Sequence, residues 1–508
     1  MRRREFLKHL GIITGAGTVS LTISGIPVKA FAKPFMNIKS TNGKILVIIQ
    51  LKGGNDGLNT VIPIEDSIYY NSRPNIAIAK EAALKINDVT GFHPSLLPFK
   101  ELFDAGKLSV VQNVGYENPN RSHFRSTDIW LSGSDANQYV FDGWVGRYLE
   151  KAYPDYPDST PEHPMAIQLG SVQSLLLDSQ HGGMGVAFED PNTFFQLVSG
   201  SSVDSDPPPN TIAGEELKFL KQISAQSVQY ASVIKEIADS SSNQTTYPDT
   251  KLAAQLAIIA ELIAGGLQTP VYLATINGFD THASQEGTHD ELLSEVADAV
   301  KAFQTDLELQ GVADKVITLT ISEFGRRVAE NGSAGTDHGT AAPLFIIGNN
   351  VNGGFIGDNP DLNDLEFGDL KHVYDFRQVY ATMLKDHFEM EQQNINEILF
   401  KEFKTLPIIN SSTTGIKENL PANFSLSQNY PNPFNPSTKI NYTIAKSGNV
   451  KINVFDSLGR RINSLVNKFH TPGSYSIVFN AGNLSSGNYF YRIEAEGFSG
   501  TKKMILIK

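Results

Sequence analysis

The chain has 508 residues, of which 40% are hydrophobic and 19% charged, a composition typical of a folded globular protein with more than one domain. Its formal net charge of −12 argues against a nucleic-acid-binding protein, which needs a basic face to neutralise phosphates. The absence of cysteine excludes disulfides, zinc–thiolate sites and a cysteine nucleophile.

The N-terminal segment, residues 1–32, has the features of a signal peptide that is removed from the mature protein. Three arginines at positions 2–4 precede a mildly apolar stretch, and the segment ends in AFA, with small residues where a signal peptidase cleaves. RREFLK matches the twin-arginine signal, whose machinery exports folded proteins to the periplasm. The stretch is rich in Gly, Thr and Ser and contains Pro27, so it predicts no stable transmembrane anchor. A basic amphipathic helix is the alternative.

Residues 33–410 alternate between strand-like and helix-like segments. Short, nearly continuous apolar runs are typical of strands that are buried on both faces of a mostly parallel sheet. Segments with apolar residues at helical spacing, such as KLAAQLAIIAELIAGG, lie between them. We predict an α/β domain with a doubly wound, mostly parallel sheet and helices on both faces. The predicted strands are KILVIIQL (44–51), LSVVQNV (108–114), VYLATI (271–276), KVITLTI (315–321) and PLFIIG (343–348).

Polar clusters stand beside the ends of these predicted strands. In open α/β sheets, ligands bind outside the carboxyl ends of the strands, so we expect these side chains to meet at one edge. The clusters are GGNDGLN with Asp56, NRSHFRSTDIW with Ser122, NGFDTHASQ with Asp280 and His282, SEFGRR with Glu323, and GTDHGTAAP with Asp337 and His338.

Each cluster also has a simpler explanation. Asp56 suits an Asx turn, and Asp280 suits a helix cap beside a surface histidine. The segment DHG at 337–339 suits a polar turn, and Glu323 suits a salt bridge with the neighbouring arginines. Four other histidines are predicted to be structural: His93, His123, His289 and His372.

Carboxylates and imidazoles that converge on one point are the ligands of a divalent cation. Two such ions about 4 Å apart would hold the attacking and leaving oxygens of a displacement at phosphorus or sulfur. Ser122 stands where a helix is predicted to begin, with Arg121 and Arg125 beside it, a setting that favours a tetrahedral oxyanion. A metal-bound seryl oxygen there would be a nucleophile. The chain contains no G-x-S-x-G, H-E-x-x-H, P-loop or G-x-G-x-x-G motif.

In this order, the five motifs resemble the domain-of-unknown-function 1501 family, whose members are exported by the twin-arginine route and related to the alkaline phosphatase and sulfatase superfamily. The resemblance spans roughly residues 43–400 and implies an alkaline-phosphatase-like sheet and a metal-dependent hydrolase ancestry. It implies a divalent cofactor, one or two ions of zinc, magnesium, manganese or calcium.

By position, the resemblance assigns metal ligands and a nucleophile. Asp280, His282 and His338 resemble the ligands of one metal, and Asp56 resembles the ligand after the superfamily's first strand. Ser122 resembles the nucleophile. Phe324 stands where the superfamily has a histidine after the carboxylate at Glu323, so the second ligand set is short by one. The predicted site comprises Ser122 and Arg125 as catalytic residues, with Asp56, Asp280, His282, Glu323, Asp337 and His338 at the metal.

After a linker at residues 411–420, the chain changes to short alternating strands separated by turn residues, which predict a small antiparallel β-sandwich over 421–508. The segment contains NYPNPFNPSTKINYTI and ends in KKMILIK. It resembles the C-terminal sorting domain, type A, of the type nine secretion system. An ordinary carbohydrate-binding sandwich is the alternative.

The leading hypothesis is an exported metal-dependent hydrolase that acts on phosphate or sulfate esters of small molecules or polysaccharides. The alternative is a non-catalytic surface protein of the same fold that binds an anionic glycan or a protein partner. In either case the predicted partners include the twin-arginine and type nine export machineries. The predicted location is the periplasm and then the cell surface or the medium.

Overall fold

The computed structural model describes residues 43–156, 159–198, 227–410, 424–444, 448–470, 473–495 and 498–508, together with the paired two-residue strands Thr22–Ile23 and Ile26–Pro27. Apart from that strand pair, the predicted signal peptide lies outside the described residues, as does the predicted linker at 411–420. The chain separates into two compact units, Met1–Asn410 and Ser411–Lys508.

Within the described part of the first unit, nine strands form one large sheet. Across the sheet their order is β4-β3-β5-β1-β6-β7-β2-β8, and β9 also pairs with β2. In chain order the strands are β1 Ile45–Lys52, β2 Leu108–Gly115, β3 Ala166–Leu169, β4 Val186–Phe188, β5 Val271–Asn277, β6 Val316–Ile321, β7 Ala342–Ile347, β8 Gly354–Ile356 and β9 Tyr374–Asp375. The five predicted strands are all present.

One strand of this sheet departs from the parallel arrangement. β7 runs antiparallel to both of its neighbours, β6 and β2, whereas the other neighbouring strands are parallel. The start of β7 therefore lies at the same edge as the ends of β1, β5 and β6. The predicted fold class, a mostly parallel α/β sheet, is confirmed. Because β7 is reversed, the residues that precede it lie at the edge where the parallel strands end.

Both faces of the sheet are covered by helices, as predicted. Successive residues of β1 enter two different hydrophobic clusters, with Val47 and Ile49 on one side and Leu46 and Ile48 on the other. This explains why the strand is a continuous apolar run. The helices are α1 Gly57–Thr60, α2 Ser67–Ser72, α3 Leu97–Asp104, α4 His123–Ser132, α5 Trp144–Ala152, α6 Pro191–Val198, α7 over 227–240, α8 Lys251–Ala264, α9 Gln285–Leu309, α10 Phe376–Thr382 and α11 Gln392–Leu399.

Each face has its own set of helices. Side chains of α4, α5, α10 and α11 pack on one face, and side chains of α3, α7, α8 and α9 pack on the other. Among the helices that the structure describes, none is both long and apolar enough to cross a bilayer. Smaller elements are the sheet of Val61–Ile62, Leu84–Lys85 and Gly91–Phe92, the hairpins Asp178–Ser179/Gly182–Gly183 and Leu365–Glu366/Asp369–Leu370, the 3₁₀ turns Pro94–Leu96, Leu175–Leu177 and Ala313–Lys315, and the π-helical turn Met383–His387.

The second unit contains two antiparallel sheets around one hydrophobic core. Alternate residues point inward, for example Ile440, Tyr442 and Ile444 in one sheet and Val450, Ile452 and Val454 in the other. The strands are β10 Ser425–Leu426, β11 Ser437–Ile444, β12 Gly448–Phe455, β13 Arg461–His470, β14 Gly473–Asn480, β15 Gly487–Ala495 and β16 Phe498–Leu506. The orders β10-β11-β14 and β13-β12-β15-β16 confirm the predicted antiparallel sandwich.

The burial of His387 leads us to expect that the stability of the fold depends on pH. His387 is buried at the end of the π-helical turn, its Nε2 lies 3.0 Å from the carbonyl of Ile45, and burial lowers its pKa to about 4. The imidazole of His387 takes up a proton near pH 6.5 in the unfolded chain but only near pH 4 in the folded chain. The contribution of His387 to the free energy of unfolding is therefore fully present above pH 6.5 and is lost as the pH falls towards 4. We expect His387 to cost about 2 kcal/mol of unfolding free energy between pH 7 and pH 5.

Chemical denaturation of metal-free protein at several pH values measures this slope. His387→Gln keeps a donor for Ile45 without a titrating ring, so it should flatten the slope, whereas the same change at the exposed His181 should not. An unchanged slope in His387→Gln would show that other groups cause it.

Candidate metal centre

Three of the predicted ligands meet at the sheet edge where β5 ends and β7 begins. The Nε2 atoms of His282 and His338 are 2.9 Å apart, and each lies 3.1 Å from Oδ1 of Asp280. His338 reaches this point from the segment before β7 because β7 is reversed. Asp280 and His282 follow β5 directly. Three acceptor-type atoms are thus brought within about 3 Å of one another.

Hydrogen bonds on the far side of each ring determine which nitrogen carries the proton. Nδ1 of His338 lies 2.8 Å from the carbonyl of Arg121, which can only accept, so this Nδ1 donates. Nδ1 of His282 lies 3.3 Å from a carboxylate oxygen of Asp337 and donates in the same way. In neutral rings both Nε2 atoms then present lone pairs to each other and to Asp280. A proton or a cation between them is needed to stabilise this arrangement.

This donor set fits a metal ion of the zinc type. Adjacent ligand atoms of a tetrahedral zinc ion at about 2.0–2.1 Å are about 3.3 Å apart, close to the separations seen here. Metal-bound histidines characteristically donate their other N–H to a carbonyl or carboxylate, as both rings do. Asp337 therefore lies behind His282 as its orienting partner, and not beside the two Nε2 atoms.

A third histidine, His123, joins the same centre. Its ring carries a nitrogen that lies, with Asp280 and His338, in a group of ligand atoms within 4.8 Å of one another. Nδ1 of His123 is 2.9 Å from Oε1 of Glu323, and Nε2 is 3.4 Å from Oδ2 of Asp280. His123 was predicted to be structural, and the structure places its ring within this group of candidate ligands. The position of His123 directly after Ser122, within NRSHFRS, is the feature of the sequence that could have indicated this placement.

Glu323 is buried beside His123 and is only partly paired. Its Oε1 accepts a hydrogen bond from the backbone N–H of Gly53 at 2.8 Å. Its Oε2 and the Nε2 of His123 are buried without a hydrogen-bond partner among the described residues. Two orphaned polar atoms at this place indicate that something else completes the centre. Glu323 thus holds His123, much as Asp337 holds His282.

Arg326 fixes the position of Asp280. Its guanidinium is fully buried and donates to Oδ1 of Asp280 at 2.7 Å. It also donates to the carbonyls of Gly53, Gly54, Phe279 and Thr336, which belong to three different loops. Burial raises the pKa of Asp280, but the pKa is lowered overall to about 2, and the hydrogen bond from Arg326 is the largest lowering cause. Asp280 is therefore an anion at neutral pH.

Asp56 is not brought to this centre. Its carboxylate is fully buried, pairs with Arg73 at 2.6 Å and accepts from the side-chain amide of Gln285 at 2.5 Å. Its other oxygen caps α1 through the N–H of Asn59 at 3.4 Å. Burial raises its pKa, yet Arg73 holds that pKa below the usual value. The Arg73 guanidinium and the Gln285 amide are thus the partners of one oxygen of Asp56, which was predicted to be a metal ligand.

The two glycines at positions 53 and 54, before Asp56, stand where the structure leaves no room for a side chain. Gly53 has φ +122°, and a Cβ there would lie 2.3 Å from the backbone nitrogen of Asp280. A Cβ on Gly54 would meet the ring of Phe324 at 2.4 Å. These glycines let the loop after β1 pack directly against the loops that carry the centre.

Of the two predicted catalytic residues, Ser122 directly precedes His123 of the centre, whereas the side chain of Arg125 contacts residues 136–139. Ser122 is the exposed N-cap of α4, and its hydroxyl does not cap the helix. It lies between Arg121, whose carbonyl holds His338, and His123. The Arg125 guanidinium donates to the carbonyls of Ala136 and Gln138 and stacks 4.1 Å from the Tyr139 ring.

Arg121, which was predicted to stand beside Ser122, and Arg327 share a partner next to the segments that carry the centre. Arg121 and Arg327 both pair with the buried carboxylate of Asp369, Arg327 through Nε at 3.3 Å. The backbone N–H of Arg327 donates to the carbonyl of Asp337. The motif SEFGRR contains Arg327 and could have indicated that this arginine lies near the centre. Nothing in the local sequence indicated that Asp369 is its partner.

Comparisons with solved structures find proteins that resemble this chain at low sequence identity. A protein in the alkaline phosphatase superfamily from Vibrio parahaemolyticus is 10% identical, with 80% of this chain and 76% of that chain covered and a TM-score of 0.33. A sulfatase from Pseudoalteromonas is 10% identical, with coverage of 86% and 83% and a TM-score of 0.32. An alkaline phosphatase from the Antarctic bacterium TAB5 is 9% identical, with coverage of 71% and 99% and a TM-score of 0.26. No curated protein sequence matches the chain.

Two family models match parts of the chain. Residues 228–397 match the model described as Protein of unknown function (DUF1501), and this region includes the motifs of Asp280, Glu323 and His338. Residues 428–508 match the model of the Secretion system C-terminal sorting domain, which indicates secretion to the cell surface or outside. Both resemblances inferred from the motifs are confirmed over these residues. The chain thus carries a domain of the DUF1501 family followed by a secretion sorting domain.

Proposed function

We propose that this protein is an exported, metal-dependent hydrolase of phosphate or sulfate esters. The observation that carries this proposal is the convergence of Asp280, His282 and His338, whose ligand atoms lie 2.9–3.1 Å apart with both rings oriented by acceptors behind them. Two imidazoles and one carboxylate suit zinc better than magnesium or calcium, which prefer oxygen ligands. When bound, such an ion would polarise the ester oxygen and stabilise developing negative charge.

The residues around this triad have separate roles in the proposal. Asp280 supplies the anionic ligand, and Arg326 keeps it in place from the buried side. His123, held by Glu323, adds a further imidazole next to Asp280. Arg121 and Arg327 supply positive charge for the anionic ester.

Ser122 is the proposed nucleophile. Its hydroxyl is exposed at the N-terminus of α4 and is not used to cap that helix, so it is available for attack. The chain on either side of it is fixed, since Arg121 binds His338 and His123 binds Glu323. The seryl oxygen would attack phosphorus or sulfur, the substrate's alcohol would leave, and water would then release the acid from the serine.

One metal is proposed, and not two. The pairing of Asp56 with Arg73 neutralises one carboxylate that was predicted to be a metal ligand. Phe324 is buried against the rings of His123 and His338 and offers no ligand. This observation also favours the second candidate function, a non-catalytic surface protein that keeps one metal and binds an anionic glycan or a protein partner.

Export completes the proposal. The sorting domain supports passage through the type nine machinery, and the arginines of the first residues support earlier passage through the twin-arginine machinery to the periplasm. We also propose the boundaries 33–410 for the α/β domain and 421–508 for the sorting domain.

Metal analysis combined with an ester screen tests the proposed function. Purified protein is analysed for bound zinc and assayed with p-nitrophenyl phosphate, bis-p-nitrophenyl phosphate and p-nitrophenyl sulfate, beside Ser122→Ala. We expect close to one equivalent of zinc, turnover of at least one ester, and loss of that turnover in Ser122→Ala with the zinc retained. Bound zinc without turnover would favour the binding protein, and absence of bound metal would contradict both functions.

A further inference from the structure

A strained aromatic residue stands at the tip of a hairpin beside the metal centre. Leu365–Glu366 pairs with Asp369–Leu370, and the two turn residues, Phe367 and Gly368, have φ of +54° and +84°. Turns of this kind favour Asn-Gly, because a bulky residue with positive φ is strained. The Phe367 side chain gains no burial in return, since the residue is 85% exposed. Burial therefore does not compensate for the strained backbone of Phe367.

The hairpin is tied to the metal centre by two arginines. The carboxylate of Asp369, on the hairpin, is buried and pairs with Arg121 and Arg327. Arg327 also donates to the carbonyl of Phe367 itself. Arg121 is joined to the centre through its own carbonyl, which accepts from His338 at 2.8 Å. The backbone of Phe367 is therefore linked to His338 through Arg327, Asp369 and Arg121.

The group formed by Arg121, Arg327 and Asp369 has two positive charges and one negative charge, although the same hairpin carries the exposed carboxylate of Glu366 and the chain as a whole has a net charge of −12. Two guanidinium groups share one carboxylate, and the side chains of Arg121 and Arg327 remain 41% and 37% exposed. Guanidinium groups in this setting favour phosphate and sulfate groups. A second exposed aromatic residue, Phe124, directly follows His123 and is 88% exposed.

We propose that Phe367 and the Arg121–Arg327 pair form a binding platform for a sugar unit that carries sulfate or phosphate esters. The guanidinium groups bind the anionic ester, and the apolar face of the sugar ring stacks on Phe367. Such a platform selects ring-bearing anionic chains over flexible polyanions of equal charge. The proposal names the substrate class of the proposed hydrolase and therefore rests on that function. Binding of the sugar to the platform can nevertheless be measured without turnover.

Binding of two polyanions to the full-length protein tests this platform. Dextran sulfate carries its sulfate esters on sugar rings, whereas polyvinyl sulfate carries the same esters on a chain without rings. We expect tighter binding of dextran sulfate, and Phe367→Asn should weaken it about tenfold while binding of polyvinyl sulfate changes little. Arg327→Gln should weaken binding of both polymers, because it removes charge and not the ring.

Phe367→Asn also has a stability readout that separates binding from folding. Asparagine tolerates positive φ, so the variant should melt about 1–2 °C higher than the parent. Phe400 provides the matched control, since it also has positive φ (+68°) and is 46% exposed, but it packs on Arg147. Phe400→Asn should leave dextran sulfate binding unchanged.

The proposal is overturned if Phe367→Asn binds dextran sulfate as tightly as the parent, or if it loses both polymers equally. Neither result would affect the proposed hydrolase, which is judged by the ester screen. Conversely, if no ester is turned over but dextran sulfate binding depends on Phe367, the platform stands as a glycan-binding site on a non-catalytic protein.

Discussion

Replacing His338 with alanine is expected to remove high-affinity zinc binding from the protein. The variant loses one of the two Nε2 atoms that lie 2.9 Å apart and leaves Asp280 with a single imidazole neighbour on Oδ1. Changes to residues behind a ligand typically cost 10–100-fold in metal affinity, so loss of a ligand itself should exceed about 100-fold. At a zinc concentration of 100 times the parent's Kd, the parent gains about 2.7 kcal/mol of stability that the variant should not gain.

Zinc titration by calorimetry, with thermal melts in the presence and absence of zinc, measures both effects. His181→Ala is the control, because His181 is a half-exposed histidine on the Asp178–Gly183 hairpin. Asp337→Ala should give an intermediate loss, since it removes only the acceptor behind His282. Parent-like zinc affinity in His338→Ala would show that the convergence of these side chains serves another purpose.

The sheet could be predicted where its strands are long enough to show a pattern. β1, β2, β5, β6 and β7 have six to eight residues each, and their apolar runs show that both faces are buried. The strands that were missed, β3, β4, β8 and β9, have only two to four residues. Such short segments are defined by their neighbours in the sheet, and not by their own residues.

The direction of β7 could not be predicted, although it determines the site. Residues before a parallel strand lie at the edge opposite to the candidate centre. Asp337 and His338 precede β7, so a parallel β7 would have separated them from Asp280 and His282. Asp337 and His338 were predicted to lie with Asp280 and His282 only because they are residues of the kinds that bind metal. The reversed direction of β7 is the physical reason why His338 does lie beside Asp280 and His282.

The partners of charged residues were the least predictable part of the site. Asp56 is followed 17 residues later by Arg73, in a segment with no motif, and only the fold shows that the two are buried together. Glu323 was weighed as a salt-bridge partner of Arg326 and Arg327, but Arg326 binds Asp280 and Arg327 binds Asp369. His123 is paired with Glu323, 200 residues away. Long-range contacts of this kind leave no trace in local spacing.

The Asp56–Arg73 pair leads to a second large expected effect, on stability and not on metal binding. In Arg73→Met, the Asp56 carboxylate remains buried without its cation, and we expect the free energy of unfolding to fall by about 3–5 kcal/mol. Asp56→Asn should cost less, because Arg73 keeps the carbonyls of Val328 and Arg327 and the side chain of Asn59 as acceptors. The double variant Arg73→Met/Asp56→Asn should be more stable than Arg73→Met alone, since it removes the uncompensated charge.

Urea unfolding of the single and double variants, together with zinc titration of Asp56→Asn, measures these effects. Breaking the exposed Lys100–Asp104 pair on α3 serves as the control and should cost less than about 1 kcal/mol. Because both oxygens of Asp56 are already bound by protein groups, Asp56→Asn should keep the zinc affinity of the parent. If Asp56→Asn instead loses zinc as His338→Ala does while its stability without metal is unchanged, Asp56 is a metal ligand, and the pairing with Arg73 does not describe the metal-bound protein.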